Sequence, residues 1–223
     1  MSATTVIRNA RLVNEGRIIE SDILLKAGRI EKISIDIEAP AGAEVVDANG
    51  RYLLPGMIDD QVHFREPGLT HKGDFYSESR AAIAGGVTSY MEMPNSKPPT
   101  TNVEQLEWKY ARAAETSAAN YGFYFGATND NIANIRALDP ALTCGLKVFM
   151  GASTGNMLVD NESTLASIFR DSPVMIATHC ESTPMIMANV KKAAAKFGKN
   201  IPVTEHARIR SAEACYASSE LAV

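Results

Sequence analysis

The fold is indicated most clearly by residues 52–68, YLLPGMIDDQVHFREPG, in which an apolar run leads into a polar cluster. We predict a β-strand from Met57 to Phe64. Alternate side chains of an extended strand face the same way, so one face is expected to be polar and the other apolar. The predicted polar face holds Asp59, Gln61, His63 and Arg65. Four polar groups that converge at the end of an apolar strand indicate a functional site.

After residue 55 the pattern alternates between strands and helices. We predict further strands at 88–93, 121–127, 145–150 and 174–178, and helices at 74–84, 103–119, 184–197 and from 211 onward. Residues 201–210 fit neither class. Repeated strand–helix units predict a parallel sheet, whose strands end at a common edge. Polar residues at that edge indicate the active-site side of either a barrel or an open α/β sheet.

The first 54 residues follow a different pattern of short strands separated by turns, with Asn49-Gly50 as a strong turn signal. The sequence therefore predicts a small β-domain at 1–54 and a strand–helix domain at 55–223. A complete (β/α)₈ barrel takes about 250 residues, whereas 55–223 accommodates about five strand–helix units. We expect the chain to be the first part of a longer protein.

Composition narrows the functional class. The chain has 223 residues, of which 45% are hydrophobic and 22% charged, and a net charge of −4. Such a balance gives no support for binding to nucleic acid or to an anionic membrane. The three cysteines are widely spaced, which favours a reducing compartment, so we expect a cytoplasmic protein.

Histidines at strand ends are the first candidates for chemistry. His63 and His179 follow predicted strands, and two imidazoles on one rim favour a zinc site. His206 lies in the unassigned segment, where the roles of ligand and of helix entry remain open. His71 lies in a loop and is expected to be solvated.

Lys147 interrupts the apolar strand Gly145–Met150. A buried ammonium is costly unless it is paired or modified. The lysine could reach solvent or pair with an acid. Alternatively, its neutral amine could add CO₂ and become a carbamate that bridges two metal ions. The spacing leaves the two interpretations open.

Arg65 and Asn95 suit the recognition of a small anionic substrate. A guanidinium binds a carboxylate through two hydrogen bonds, and an amide supplies both a donor and an acceptor. Taken singly, each residue is more typical of a group that stabilises its own loop.

Taken together, the motifs resemble dihydroorotase of the amidohydrolase superfamily. They occur in this order: Pro55–Gly68, Ala84–Thr88, Met93-Pro-Asn95, Lys147–Gly155, Thr178–Glu181 and Arg210–Ala214. The resemblance implies a (β/α)₈ TIM-type barrel, truncated here after about the fifth strand–helix unit, with part of a small β-domain before it. It also implies the reversible interconversion of N-carbamoyl-L-aspartate and L-dihydroorotate in pyrimidine biosynthesis, by attack of a metal-activated hydroxide.

The resemblance also implies residue roles. His63, Lys147 and His179 correspond to zinc ligands, with Lys147 as a bridging carbamate. Arg65 and Asn95 correspond to groups that hold the substrate carboxylate. The family's catalytic aspartate follows the eighth strand, to which nothing in this chain corresponds. Residues 1–223 alone are therefore expected to be inactive, and a homodimer or an association with aspartate transcarbamoylase are the expected assemblies.

Gln61 departs from the family, which usually has histidine there. A neutral amide oxygen is a poor zinc ligand beside imidazole. One zinc ion is therefore expected more strongly than two, and Gln61 and His206 are the weakest candidate ligands. The alternatives are a hydantoinase (dihydropyrimidinase), an allantoinase, or a non-catalytic homologue that acts as a structural partner.

Overall fold

The computed structural model describes residues 4–151, 153 and 155–223. The chain divides into two compact units, one ending at Gly56 and the other beginning at Met57. The first unit is a sheet of five strands: β1 (Thr4–Asn14), β2 (Arg17–Lys26), β3 (Arg29–Ser34), β4 (Glu44–Asp47) and β5 (Tyr52–Leu53). The strands β1, β2 and β3 are antiparallel, whereas β4 and β5 both run parallel to β1.

The second unit contains a five-stranded sheet in the order β10-β9-β8-β7-β6. Its strands are β6 (Met57–Val62), β7 (Val87–Glu92), β8 (Asn120–Gly126), β9 (Gly145–Phe149) and β10 (Ile176–His179). Every neighbouring pair is parallel, which confirms the parallel sheet predicted from the alternating pattern. All five strands therefore end at one edge.

The helices of this unit are α1 (Phe75–Ala84), α2 (Val103–Thr116), α3 (Ile132–Arg136), α4 (Glu162–Asp171), α5 (Thr183–Phe197), α6 (His206–Ile209) and α7 (Ala212–Ala222). Polar side chains cap several of their first turns. Asn102 accepts a hydrogen bond from the backbone of Gln105 at 2.9 Å, and Asn161 accepts one from Thr164 at 3.1 Å. These contacts satisfy donors that a helix start leaves free.

Three details differ from the sequence prediction. Strand β6 ends at Val62 rather than Phe64, and Arg65 has a positive φ of 73°. The pairing of β6 with β7 is irregular between Asp59 and Val62. The predicted polar face therefore does not continue through Arg65. Helices α3 and α4 were not predicted, and residues 201–210 form a 3-10 turn followed by α6.

The core of this unit fixes the direction of the central strands. All five residues of β9 are buried, and Leu146 and Val148 join the apolar cluster that includes Ile168 of α4. Lys147 alternates with them and therefore belongs to the opposite face of the sheet. That face is the one on which polar side chains near the strand ends can meet.

Strand β6 forms one edge of the sheet, and Met57 and Ile58 on it are 56% and 63% exposed.

In the described part of the chain, no helix combines the length and the hydrophobicity that crossing a bilayer requires.

Candidate active site

Four of the predicted site residues lie at or near the carboxyl ends of the parallel strands. His63 follows β6 directly, Asn95 lies three residues after β7, Lys147 lies in β9, and His179 is the last residue of β10. In barrels and open α/β sheets this edge is where catalytic side chains gather.

Several of the predicted site residues lie near His63. Burial lowers the pKa of its imidazole below the usual value, and the nearby charge of Arg65 lowers it further, with a smaller contribution from Lys147. The neighbouring amide of Asn95 opposes this shift. The structure thus brings Arg65, Asn95 and Lys147 within electrostatic reach of His63, and the imidazole favours its neutral, metal-binding form.

Asn95 carries a buried acceptor, its side-chain oxygen Oδ1. This oxygen has no hydrogen bond of good geometry among the described residues, although the His63 imidazole lies near the amide. Buried polar atoms are normally satisfied, so an open acceptor at a strand end is suited to a ligand.

Lys147 is 3% exposed, with Ala177 of β10 and Gly126 of β8 as its strand neighbours. Its Nζ lies 5.2 Å from the ring centroid of Phe149, and among the described residues no carboxylate forms an ion pair with it. Burial lowers the pKa of the amine. The described residues therefore give no support to the interpretation in which Lys147 pairs with an acid. Burial instead favours the neutral amine, which is the form that can add CO₂.

His179 faces a carboxylate that the sequence analysis did not select. Its Nε2 lies 2.9 Å from Oε2 of Glu181, and the same carboxylate oxygen accepts a hydrogen bond from Arg210. The Thr178–Glu181 and Arg210–Ala214 motifs are thus in direct contact. Glu181 and Arg210 both lie in motifs noted above, so the sequence did contain a signal. Their contact could not be predicted, because they are far apart along the chain.

A buried ion pair supports the turn that carries Arg65. Glu92 and Lys109 are 2% and 1% exposed and hydrogen-bonded to each other. The Arg65 backbone also lies close enough to the Glu92 carboxylate to favour its charged form. Burial raises the pKa of Glu92 to about 7, and the Lys109 charge opposes this shift. The sequence analysis missed both residues.

Two loops at the rim approach closely at Gly68. A Cβ placed on this glycine would lie 2.0 Å from the carbonyl oxygen of Lys97, and its φ is +80°. Only glycine fits, for steric and for conformational reasons. The Lys97 backbone also donates to Pro67 at 3.0 Å, which joins the Arg65 turn to the loop of Asn95.

The remaining candidates lie elsewhere. Gln61 is an exposed residue of β6, and His206 is the exposed first residue of α6 rather than a strand-end residue. His71 is exposed in a loop, as expected. Of the Lys147–Gly155 motif, positions 152 and 154 lie outside the described residues.

A metal ion suits this donor set only if Lys147 takes part. Within the described ranges, no three His, Cys, Asp or Glu side chains cluster in a way that could hold a metal. Two imidazoles, His63 and His179, are present at the strand ends. A carbamate on the unpaired Lys147 would add the oxygen ligands that complete such a set. With such a carbamate, these residue types would be ones that zinc takes as ligands in proteins.

Several known proteins resemble this chain in sequence or in structure. Residues 50–144 match the family model described as dihydro-orotase-like. A dihydroorotase from Methanosarcina acetivorans is 37% identical over 158 residues, which cover 70% of this chain and 34% of that protein. An allantoinase from Streptomyces avermitilis is 39% identical over 150 residues, which cover 66% of this chain and 34% of that protein.

A solved structure extends the match to the whole chain. The L-hydantoinase (dihydropyrimidinase) from Arthrobacter aurescens aligns with a TM-score of 0.91 and 29% identity, covering 100% of this chain and 50% of that one. The sheet of the second unit is thus a partial barrel of the amidohydrolase type. The chain thus resembles cyclic amidohydrolases of the dihydroorotase, allantoinase and hydantoinase types, with a dihydro-orotase-like segment at 50–144. It spans half or less of the length of these relatives.

Proposed function

We propose that the intact protein, meaning the gene product that carries residues 1–223, interconverts N-carbamoyl-L-aspartate and L-dihydroorotate. The reaction opens or closes a cyclic amide in a substrate that bears a carboxylate. The observation that carries the proposal is the position of Arg65 and Asn95 beside His63 at the rim of the sheet. A fixed guanidinium next to an imidazole is suited to a substrate that presents both a carboxylate and a reactive amide.

The proposal includes at least one zinc ion. His63, His179 and carbamylated Lys147 would hold it, and the bound metal would supply a hydroxide at neutral pH and polarise the amide carbonyl. Gln61 is exposed on β6 and is a weak ligand, which supports one zinc rather than two.

The protein's own groups have separate tasks in this proposal. Arg65 binds the substrate carboxylate and sets the orientation of the ring. Asn95 offers its buried Oδ1 to a substrate N–H. The contact between the two loops at Gly68 fixes the positions of Arg65 and Asn95 relative to each other. This lowers the entropic cost of orienting the substrate.

A second candidate function is the hydrolysis of hydantoins or dihydropyrimidines. The high structural similarity to the L-hydantoinase supports it. That substrate class lacks the ring carboxylate for which Arg65 is suited, so we place it second.

The experiment is a parallel assay of the purified intact protein, with and without added zinc, against dihydroorotate, hydantoin, dihydrouracil and allantoin. The proposal expects the highest kcat/KM with dihydroorotate and at least one zinc per chain by elemental analysis. A preference for hydantoin or dihydrouracil would support the second candidate. Zinc-free protein without turnover on any substrate would instead support a non-catalytic homologue.

A further inference from the structure

Glu181 lies between a strand-end imidazole and an arginine of a different segment. Its Oε2 is 2.9 Å from Nε2 of His179 and also accepts from Nη1 of Arg210. The Glu181 side chain is 14% exposed, whereas those of His179 and Arg210 are 38% and 37% exposed. The carboxylate is thus the most buried member of a three-residue chain.

The backbone fixes Glu181 from two sides. Its carbonyl group lies so close to Gly151 that a Cβ there would be 2.1 Å from the oxygen. On the other side, the Ser182 N–H donates to the carbonyl of Ala214 at 2.9 Å. Because Arg210 and Ala214 flank the start of α7, this segment holds the Glu181 loop through both a side chain and the backbone.

This arrangement selects one ring nitrogen of His179. A carboxylate accepts hydrogen bonds only, so Nε2 must carry the proton and donate to Glu181. Within the described residues, no hydrogen bond reaches Nδ1. The neutral ring therefore has its free lone pair on Nδ1. Carboxylates that hold the second nitrogen of a metal-binding histidine fix its tautomer and raise its basicity.

We infer that Glu181, held by Arg210, is a positioning residue that keeps His179 in the Nε2–H tautomer with Nδ1 available to a metal ion. The metal part of this inference rests on the proposed function. The tautomer part does not, because it follows from the hydrogen bonds alone. The inference gives the Arg210–Ala214 motif a role that the substrate proposal leaves open.

The test uses the intact protein and compares Glu181→Ala, Glu181→Gln and Arg210→Gln with wild type. Histidine ¹⁵N NMR of the metal-free protein reports the tautomer of His179, and competition with a chelator reports the zinc Kd. We expect Nε2–H in wild type and a mixture of tautomers in Glu181→Ala. Zinc binding should weaken by roughly 10–100-fold in Glu181→Ala, as is typical for loss of such a carboxylate. The Gln variants should lie between, because Glu181→Gln keeps an acceptor oxygen for the Nε2–H group and Arg210→Gln keeps the Glu181 carboxylate.

Arg208→Gln is the matched control. Arg208 lies two residues before Arg210, is exposed, and pairs with Glu205 instead. It should behave as wild type in both measurements. If Glu181→Ala, folded by circular dichroism, keeps both the tautomer and the zinc Kd of wild type, the inference is overturned. A different outcome is that the wild type binds no zinc but Glu181→Ala still loses the Nε2–H tautomer of His179. That result would refute the proposed function and support the positioning role.

Discussion

At the scale of single residues, Lys147 shows how burial alters chemistry. It is almost fully enclosed within the most buried strand, and no carboxylate of the described chain pairs with it. A buried ammonium without a partner is strongly disfavoured, so the protonated form loses its advantage. Burial therefore favours the neutral amine, which is the form that can react with CO₂.

Replacement of Lys147 by arginine tests this role. Arginine keeps the positive charge but stays protonated and cannot become a carbamate. We expect kcat/KM for dihydroorotate to fall by more than about 100-fold, because even the loss of an outer metal-site residue costs roughly 10–100-fold. Zinc content should fall in parallel. Lys191→Arg, at an exposed position of α5, is the control and should retain full activity. Normal turnover by Lys147→Arg would rule out the carbamate.

Arg65 allows a test of substrate choice. Arg65→Lys retains the charge but removes the planar pair of donors that matches a carboxylate. We expect kcat/KM for dihydroorotate to decrease by roughly 10–100-fold, equivalent to about 1.5–3 kcal/mol for a charged hydrogen bond. Any activity on unsubstituted hydantoin, which lacks the carboxylate, should change much less. Equal losses on both substrates would show that Arg65 supports the fold of the turn and not substrate binding.

At the scale of elements, the Glu92–Lys109 pair connects three parts of the second unit. Glu92 ends β7, Lys109 lies in α2, and the backbone of the Arg65 turn after β6 lies near the Glu92 carboxylate. Lys109 donates in addition to the Met93 carbonyl at 3.2 Å. The pair thus couples helix packing to the position of the rim, although neither residue is expected to touch substrate.

Removal of one partner should be costly. Lys109→Met leaves Glu92 buried without its counterion, and we expect the free energy of unfolding to fall by about 3–5 kcal/mol. The double variant Glu92→Gln/Lys109→Met should recover part of this loss, because it removes both charges. Urea unfolding of the intact protein measures both effects, with Lys191→Met as an exposed control. If the double variant is as unstable as the single one, the loss comes from packing rather than from the unpaired charge.

At the scale of the whole molecule, the parallel sheet of the second unit has two open edges. Strand β6 forms one and β10 the other, and Met57 and Ile58 on β6 are more than half exposed. Open edges with exposed apolar residues favour pairing with other chains. The related L-hydantoinase is about twice as long as this chain.

Residues 1–223 produced by themselves should therefore associate. We expect light scattering after size-exclusion chromatography to show dimers or larger species, and heating to give irreversible aggregation. Replacement of Met57 and Ile58 by lysine should reduce this association, since charged edge residues discourage strand pairing. A monodisperse monomer that melts reversibly would contradict the prediction.

Much of this organisation could be predicted from local patterns. The alternation of strands and helices gave the parallel sheet and the start of α2 at Val103, and the turn signals gave short strands in the first unit. Helix α4 could also have been predicted, because Asn161 caps it and Leu165 and Ile168 lie three residues apart on its buried side. Such features depend on neighbours along the chain.

The sequence by itself determined the strand–helix order, the class of candidate ligands and the departure at Gln61, because residue type and spacing carry that information. Only the tertiary structure decided that β6 stops at Val62, that Lys147 has no acidic partner in the described chain, and that Glu181 joins His179 to Arg210. Those outcomes depend on burial and on contacts between residues far apart in sequence. The spacing of a single chain does not encode them directly, since they arise only when the strands align and the segments after them meet.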